Sequence, residues 1–506
     1  MALLAAAACG GTAADSPRQA PGAPVSGGTA RVLQITEPRS LDPALMGNAW
    51  AINAFLGNAL YGTLMTNKAG TGEIAYTMAE SFTTDDNGAT FELKLRQGLT
   101  FSDGSPLNAE AVKFNWDRIR DPAVGSSSIP EASMIAGTEV LTDTTVKVAL
   151  AQPIPNYAQA VATTALNWIG APATLRAGQR EVDSKPVGAG PYALGEWTRQ
   201  DKIELVRNPK YWDAPKPYLD RITLRTANDS TQRINTLISG GADLAIDTNW
   251  ATIAKARDSG LETDVMPLNG GQYLAANTRR APFNDVRARK AVAAALDLDA
   301  MDQTTYNGKG EIPHTLFQDS SPFYADTALQ KPDRAAAQRL FDELAAEGKP
   351  VSFTFTSYPS PESKAISESV QAQLSTFGNV AVSVRTVDHT EVASLQASKD
   401  FELIITSALF IDPEPRLWSV FHSSSRANMS GINDPGLDAS LDAGRKATSQ
   451  QERKAAYDDV QRRLADLAPG IFYTRGSPAA VFSKDVYGVV QYGHGSLLPE
   501  ELWLKK

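Results

Sequence analysis

The amino-acid sequence predicts an α/β protein built from two or three domains. Three observations carry that prediction. Segments with apolar residues at helical spacing alternate with short β-branched runs along most of the chain. A length of 506 residues is more than one hydrophobic core organises. A composition of 42% hydrophobic and 21% charged residues is that of an ordinary folded chain in water. The net charge of −9 and the lack of any long Lys/Arg run argue against nucleic acid as a partner. No segment after the N-terminus is long and apolar enough to span a bilayer.

The N-terminus carries its own signal. MALLAAAA, an apolar tract of small residues, ends at Cys9, the only cysteine, and gives way to GGTAADSPRQAPGAPVSGG. A lone thiol makes no intramolecular disulfide and no cysteine-based zinc site. The pattern resembles a bacterial lipoprotein signal over residues 1–9 with Cys9 as the lipidated residue, followed by a flexible linker over 10–29. It departs from that pattern in lacking a basic n-region and in having Ala6 where leucine is usual, and a start assigned too far downstream explains both. The other reading is a tail with an incidental cysteine.

After the linker, 30–35 alternates as a first strand and Leu41-Asp42-Pro43 turns it. Residues 49–64 place Phe55, Leu56, Ala59 and Leu60 on one side of a helix, with Trp50 at its start, where it either faces a ligand or packs into the core. Asp86-Asn87-Gly88 is a turn into an alternating strand through Phe91, Leu93 and Leu95. Asn108 caps a helix with Val112 and Trp116 on one face, and 146–150 is a strand. Strands follow at 192–197, 202–206 and 222–225, and RINTLISGGADLAID reads as a helix closed by Gly240 and Gly241 before a buried strand. Strand, helix and strand in that order suggest a parallel sheet. Further on, 273–277 is a strand, Asn284 and Asp285 start a helix through Val292 and Leu296, and Asp333 starts another through Ala337, Leu340, Phe341 and Leu344. Strand 351–355, a helix striped by Ile366, Val370, Leu374 and Phe377, and strand 380–384 complete the alternation before a helix carrying Tyr457, Val460, Leu464 and Leu467.

Signatures of catalysis are missing. There is no G-x-S-x-G elbow, no G-x-x-x-x-G-K-[ST] phosphate cradle and no H-E-x-x-H. His314, His389, His422 and His494 are scattered, so no preformed metal site or cofactor is expected. Gly188, Gly190 and Ala193 fit a G-x-G-x-x-A dinucleotide pattern, but no strand precedes them and Pro191 removes an amide that should cradle phosphate.

The stretch ELIITSALFIDPEP over 402–415 is the strongest candidate site. Leu403, Ile404 and Ile405 read as a buried strand, and Asp412-Pro413 with Pro415 forces an irregular exit. Ligands of open α/β sheets sit beyond the carboxyl ends of strands, which makes Leu409, Phe410, Asp412 and Arg416 a candidate binding edge.

Several motifs in fixed order resemble the bacterial ABC-transporter extracellular solute-binding proteins of family 5, the dipeptide-, oligopeptide- and nickel-binding type. They are Leu41-Asp42-Pro43, FELKLRQGLTFSDGSPLNAEAVKFNWDR, VGAGPYALGEW, LVRNPKYWD, SGGADLAID, APFNDVRARKAVAAALD, Asp412-Pro413 and NMSGINDPGLDASL. The resemblance implies a periplasmic-binding-protein-like two-lobed fold of the large class II type, with an inserted α+β subdomain and a hinge. The first lobe would take 30–65, 188–275 and 477–506, the insert 66–187, and the second lobe 276–476. It implies a monomeric, lipid-anchored binding protein outside the cytoplasm that closes on a solute and is recognised by a membrane permease, with a separate ATPase subunit. Only contacts made in the closed state favour closure.

In peptide binders of the family, an aspartate four residues before this proline grips the α-ammonium group. That position here is Leu409, which neither accepts a hydrogen bond nor balances a buried cation; a shifted alignment would make Asp412 the anchor. The resemblance therefore implies a solute without a free amine at this place: a blocked peptide, an organic acid or another largely apolar metabolite. Phe410, Trp50 and Tyr273 are candidate pocket walls, and Arg416 is either an anion partner or a surface arginine. A hydrolase on the same scaffold and a ligand-sensing module for a membrane receptor are the competing readings.

Overall fold

The computed structural model describes residues 22–388 and 390–505. The segment 1–9 with Cys9, the linker as far as residue 21, and His389 lie outside the described residues. Three principal sheets organise the chain. The first has seven strands in the order Glu262–Val265, Ala479–Phe482, Leu244–Asp247, Thr29–Gln34, Arg221–Thr226, Lys202–Arg207 and Tyr192–Thr198. Thr29–Gln34 pairs in parallel with both of its neighbours, and the remaining pairs are antiparallel. The expected parallel sheet is thus mixed, because short hairpin connections, such as that joining Tyr192–Thr198 to Lys202–Arg207, close only antiparallel pairs.

The second sheet has five strands, in the order Val380–Thr386, Val351–Ser357, Leu403–Phe410, Asn269–Ala276 and Gly470–Thr474. Its first three strands are parallel, joined by crossovers containing the helices Pro361–Leu374 and Val392–Ser398. Asn269–Ala276 runs antiparallel to both of its neighbours. The chain therefore leaves the first sheet after Val265 and enters the second at Asn269, earlier than the crossing read near 275, and returns between Thr474 and Ala479. The strand expected over 273–277 begins earlier, at Asn269, and includes Gly270 and Gly271, a residue type that weakens a strand pattern. Gly270 has φ +71°, and a Cβ there would lie 1.7 Å from the Ala408 carbonyl oxygen, so the pairing of these strands requires glycine.

The third sheet is a four-stranded antiparallel unit of Ala79–Thr83, Thr90–Leu95, Thr145–Leu150 and Ile135–Thr142. The helix Ala109–Arg120 packs on it, and the Asn108 side chain accepts the Ala111 amide at its N-terminus, a cap worth about 1 kcal/mol. Trp116 is fully buried and meets Phe82 edge-on at 6.1 Å, while Phe82 stacks on Phe91 at 4.6 Å. One continuous core joins this sheet to the first one.

The helix expected over 49–64 is shorter, Ala54–Tyr61, and buries Phe55, Leu56, Ala59 and Leu60 as read; Trp50 precedes it in a turn. The glycines of the false nucleotide motif serve this helix. A Cβ at Gly188 would lie 2.2 Å from the Leu60 carbonyl oxygen, and one at Gly190 would lie 2.3 Å from that of Ala59. They let the approach to Tyr192–Thr198 pass against the helix backbone, and Ala193 is part of that strand.

The second sheet is covered on both faces. Leu274, Phe353, Phe355, Leu403 and Ile405 join one core, and Tyr273, Ala275, Ile404, Ala408 and Phe410 join another. This split follows from the two-residue period of a strand.

Candidate functional site

A cavity of about 390 Å³ lies beside the exit of the strand Leu403–Phe410. Several parts of the chain wall it, among them the turn carrying Trp50 and Ile52, the residues Ser127, Ser128 and Glu131 beside the four-stranded sheet, Gln159 with Thr163 and Thr164, the exit from Leu403–Phe410, and His494. Side-chain alternation along that strand decides what reaches the cavity. Leu403 and Ile405 face core, and further along the same face Ser407, Leu409 and Ile411 open onto the cavity. Leu409 is 9% exposed and packs with Met266, Leu268 and Ile411 against Trp50. The cavity thus has an apolar floor made by residues distant in sequence.

Phe410 points the opposite way. It is buried against Phe317, with ring centroids 5.5 Å apart, so the reading of Phe410 as a pocket wall is corrected by the strand's period. Tyr273 is likewise corrected: it is fully buried, stacks on Phe472 at 4.9 Å and contacts Phe421. Burial, opposed by the field of Arg416, pushes its phenol above the ordinary range. Leu409, Asp412, Arg416 and Trp50 do line the cavity. Cys9 lies outside the described residues.

Asp412 is not a free anchor. Both of its oxygens accept from the Arg453 guanidinium, at 2.5 and 3.0 Å, and its side chain also accepts the Glu414 amide. Glu414 is 2% exposed, and its Oε1 accepts from Arg445 Nε at 2.9 Å and Nη2 at 2.6 Å. Its Oε2 has no partner, and burial pushes its carboxyl above the usual range against the pull of Arg445. The Arg445 guanidinium also lies 3.9 Å from the centroid of the Trp418 ring, which holds it behind the wall.

Arg416 begins the helix Arg416–Phe421 and donates from Nη2 to the Ser407 carbonyl at 2.8 Å. No carboxylate pairs with it among the described residues. A carbonyl satisfies one donor of a guanidinium and none of its charge. Trp50 adds a buried indole N–H without a partner.

The sequence reading missed Glu131, Ser407, Ile411 and Glu414, and it saw His494 only as a scattered histidine. Glu131 sits in the short helix Ile129–Ala132, and no local pattern marks it. Ser407 and Ile411 were accessible to strand alternation, had the register been applied to the end of the strand. His494 reaches the cavity from the C-terminal turns, and burial together with Arg416 holds its imidazole down at about 4. Among the described residues no group of three His, Cys, Asp or Glu side chains could hold a metal ion, and no helix is long and apolar enough to cross a membrane.

Comparison with known proteins identifies the architecture. Residues 73–428 match the model of the bacterial extracellular solute-binding proteins, family 5. The glutathione-binding protein GsiB of Pectobacterium atrosepticum is 29% identical over 432 residues, which is 81% of this chain and 82% of that protein. The oligopeptide-binding protein AppA of Bacillus subtilis, solved with a nonapeptide, superposes with a TM-score of 0.79 at 21% identity over 96% of this chain and 100% of its own. The binding protein AgaA of A. tumefaciens R10, solved with agropinic acid, gives 0.81 at 23% identity over 95% and 99%. The two structures share the two-lobed α/β fold of periplasmic binding proteins. The chain belongs to the bacterial extracellular solute-binding proteins of family 5.

Proposed function

We propose that this chain is the extracytoplasmic solute-binding component of an ABC importer, and that it captures a small peptide-like solute bearing a carboxylate. The observation that carries the reading is Arg416, a guanidinium on the cavity wall with a carbonyl but no carboxylate beside it. A carboxylate from the solute would supply the charge and the two-pronged geometry it lacks. Leu409 and Trp50 would hold the apolar part of the solute. The solute presents no ammonium group to Leu409, where a cation would meet only apolar side chains. The cavity volume is at the small end for small-molecule sites and suits a short solute better than a long peptide.

In this reading the lobes are the units around the seven- and five-stranded sheets, and the four-stranded sheet is an insert in the first. The hinge is the pair of crossings, between Val265 and Asn269 and between Thr474 and Ala479. The closed form is delivered to a permease driven by a separate ATPase. A monomer anchored through a lipid on Cys9, working at the outer face of the cytoplasmic membrane without catalysis or cofactor, completes the assignment. GsiB binds glutathione by its name, which makes that tripeptide the first solute to try.

Native mass spectrometry of protein purified from its own host, with the released solute identified, tests the proposal. A small carboxylate-bearing molecule in one copy per chain is the expected result. A bound solute without an anionic group would overturn it.

A further inference from the structure

The charges on the cavity wall do not balance in the way that a structural network would. Among the described residues that line it, the acidic or cationic side chains are Glu131, Asp412, Glu414 and Arg416. Two of these are neutralised from behind: Asp412 by Arg453, and Glu414 by Arg445. What remains is one group of each sign, Glu131 and Arg416. Arg416 acts on Glu131 through space, yet no ion pair joins them, and no other residue among those described donates to the Glu131 carboxylate. His494, the other titratable group of the wall, is held neutral beside Arg416 and offers Glu131 no charge.

Glu131 comes from the short helix beside the four-stranded sheet, and Arg416 from the exit of the five-stranded one. The two unmatched groups therefore reach one cavity from two different parts of the fold. Opposite charges that are partly removed from water and left unpaired are costly. A ligand that is itself dipolar would match both at once. Glu414, whose buried Oε2 has no partner, and Trp50, whose indole N–H is unpartnered, belong to the lining of the same cavity.

We propose that Glu131 receives the ammonium group of the solute while Arg416 holds its carboxylate, so that the pair selects a zwitterion. The inference rests on the carboxylate reading given above and adds the other end of the ligand. It also relocates the acidic anchor: with Leu409 apolar, the carboxylate that meets a free amine is that of Glu131.

Calorimetric titration of the full chain separates the two ideas. The probes are glutathione and a set of dipeptides, each with its N-acetylated counterpart, measured on wild type, Glu131→Gln and Arg416→Gln. At least one free-amine probe is expected to bind wild type, with its acetylated form weaker by roughly tenfold, the scale of one charge-assisted hydrogen bond. Glu131→Gln should weaken the free-amine probe by a similar factor and leave the acetylated probe within about twofold. Arg416→Gln should weaken both. Equal losses on both probes in Glu131→Gln, no loss on either, or a wild-type preference for the acetylated form would each overturn the role of Glu131 while leaving that of Arg416 standing. If no probe binds wild type, the carboxylate reading falls as well.

Discussion

Two buried Arg–carboxylate pairs sit near strand ends in the two larger sheets, and they are built differently. Asp247 closes Leu244–Asp247 and is fully buried, with Arg233 2% exposed beside it. Its Oδ2 accepts from Arg233 Nη2 at 3.0 Å, and its Oδ1 takes the amides of Thr248 and Asn249 at 2.7 and 2.9 Å. The hydroxyls of Ser230 and Thr252 also donate to it, and Arg233 Nη1 is used by the carbonyls of Ala227 and Asn228. Glu414, a residue of the cavity lining beyond the end of Leu403–Phe410, engages Arg445 through one oxygen and leaves the other buried without a partner. A saturated network fixes a fold, whereas an unsaturated one next to a cavity leaves capacity for something else. Glu500 extends the series: it is 6% exposed, accepts from the Tyr211 hydroxyl at 3.4 Å through Oε1, leaves Oε2 without a partner, and sees Lys216 drawn to Glu501.

Breaking the saturated pair should have the largest effect. Asp247→Ala strands a buried guanidinium and is expected to cost about 3–5 kcal/mol of stability, read by urea unfolding. A loss below about 1 kcal/mol would remove the contrast drawn here.

Next is the pH dependence that Glu500 imposes. Burial pushes its carboxyl up to about 7, from an ordinary 4.5. The folded form therefore holds a proton that the unfolded form has released, and stability falls as pH rises through that window, by up to about 3 kcal/mol. His494 works in the opposite sense, since its imidazole is held down at about 4; stability gained from it grows up to about pH 6.5 and then stays level. Above about pH 6.5 the His494 contribution is level, and there Glu500→Gln should flatten what remains of the falling slope and raise the melting temperature at pH 8. An unchanged slope would mean that Glu500 ionises freely in the fold.

Arg416→Gln sharpens the comparison from the cavity side. Affinity for a carboxylate solute should fall about 10- to 100-fold, while stability in the absence of ligand stays within about 0.5 kcal/mol. Smallest is the effect of Leu409→Asp, read as the ratio of affinities for free-amine and blocked peptides, which should move toward the free amine by about threefold. An unchanged ratio would show that Leu409 is not a selector.

How much of this was legible depends on whether the signal was local. The helix Ala109–Arg120 was readable because Asn108, Val112 and Trp116 act over one or two turns, and Asp285 and Asp333 cap their helices as expected. Trp50, Leu409 and Arg416 were named from motif and position, and the fold brings them to one cavity. Phe410 and Tyr273 are aromatic and near the site in sequence, but alternation sends them into core. Asp412 carries charge in the sequence but is occupied by Arg453, a partner from a distant helix.

The sequence by itself determined the elements, their order, the family motifs and the absence of a histidine-rich or phosphate-binding signature, because capping, periodicity and turn chemistry act between near neighbours. Only the tertiary structure decided which charges are spent and which are left. Pairing Asp412 with Arg453 and Glu414 with Arg445, and bringing Glu131 and Arg416 to one cavity without an ion pair, depends on which helices stand behind the strand exit and which segments close the cavity. Those contacts join residues far apart in the chain, and the free energy of a buried charge is set by its surroundings in space.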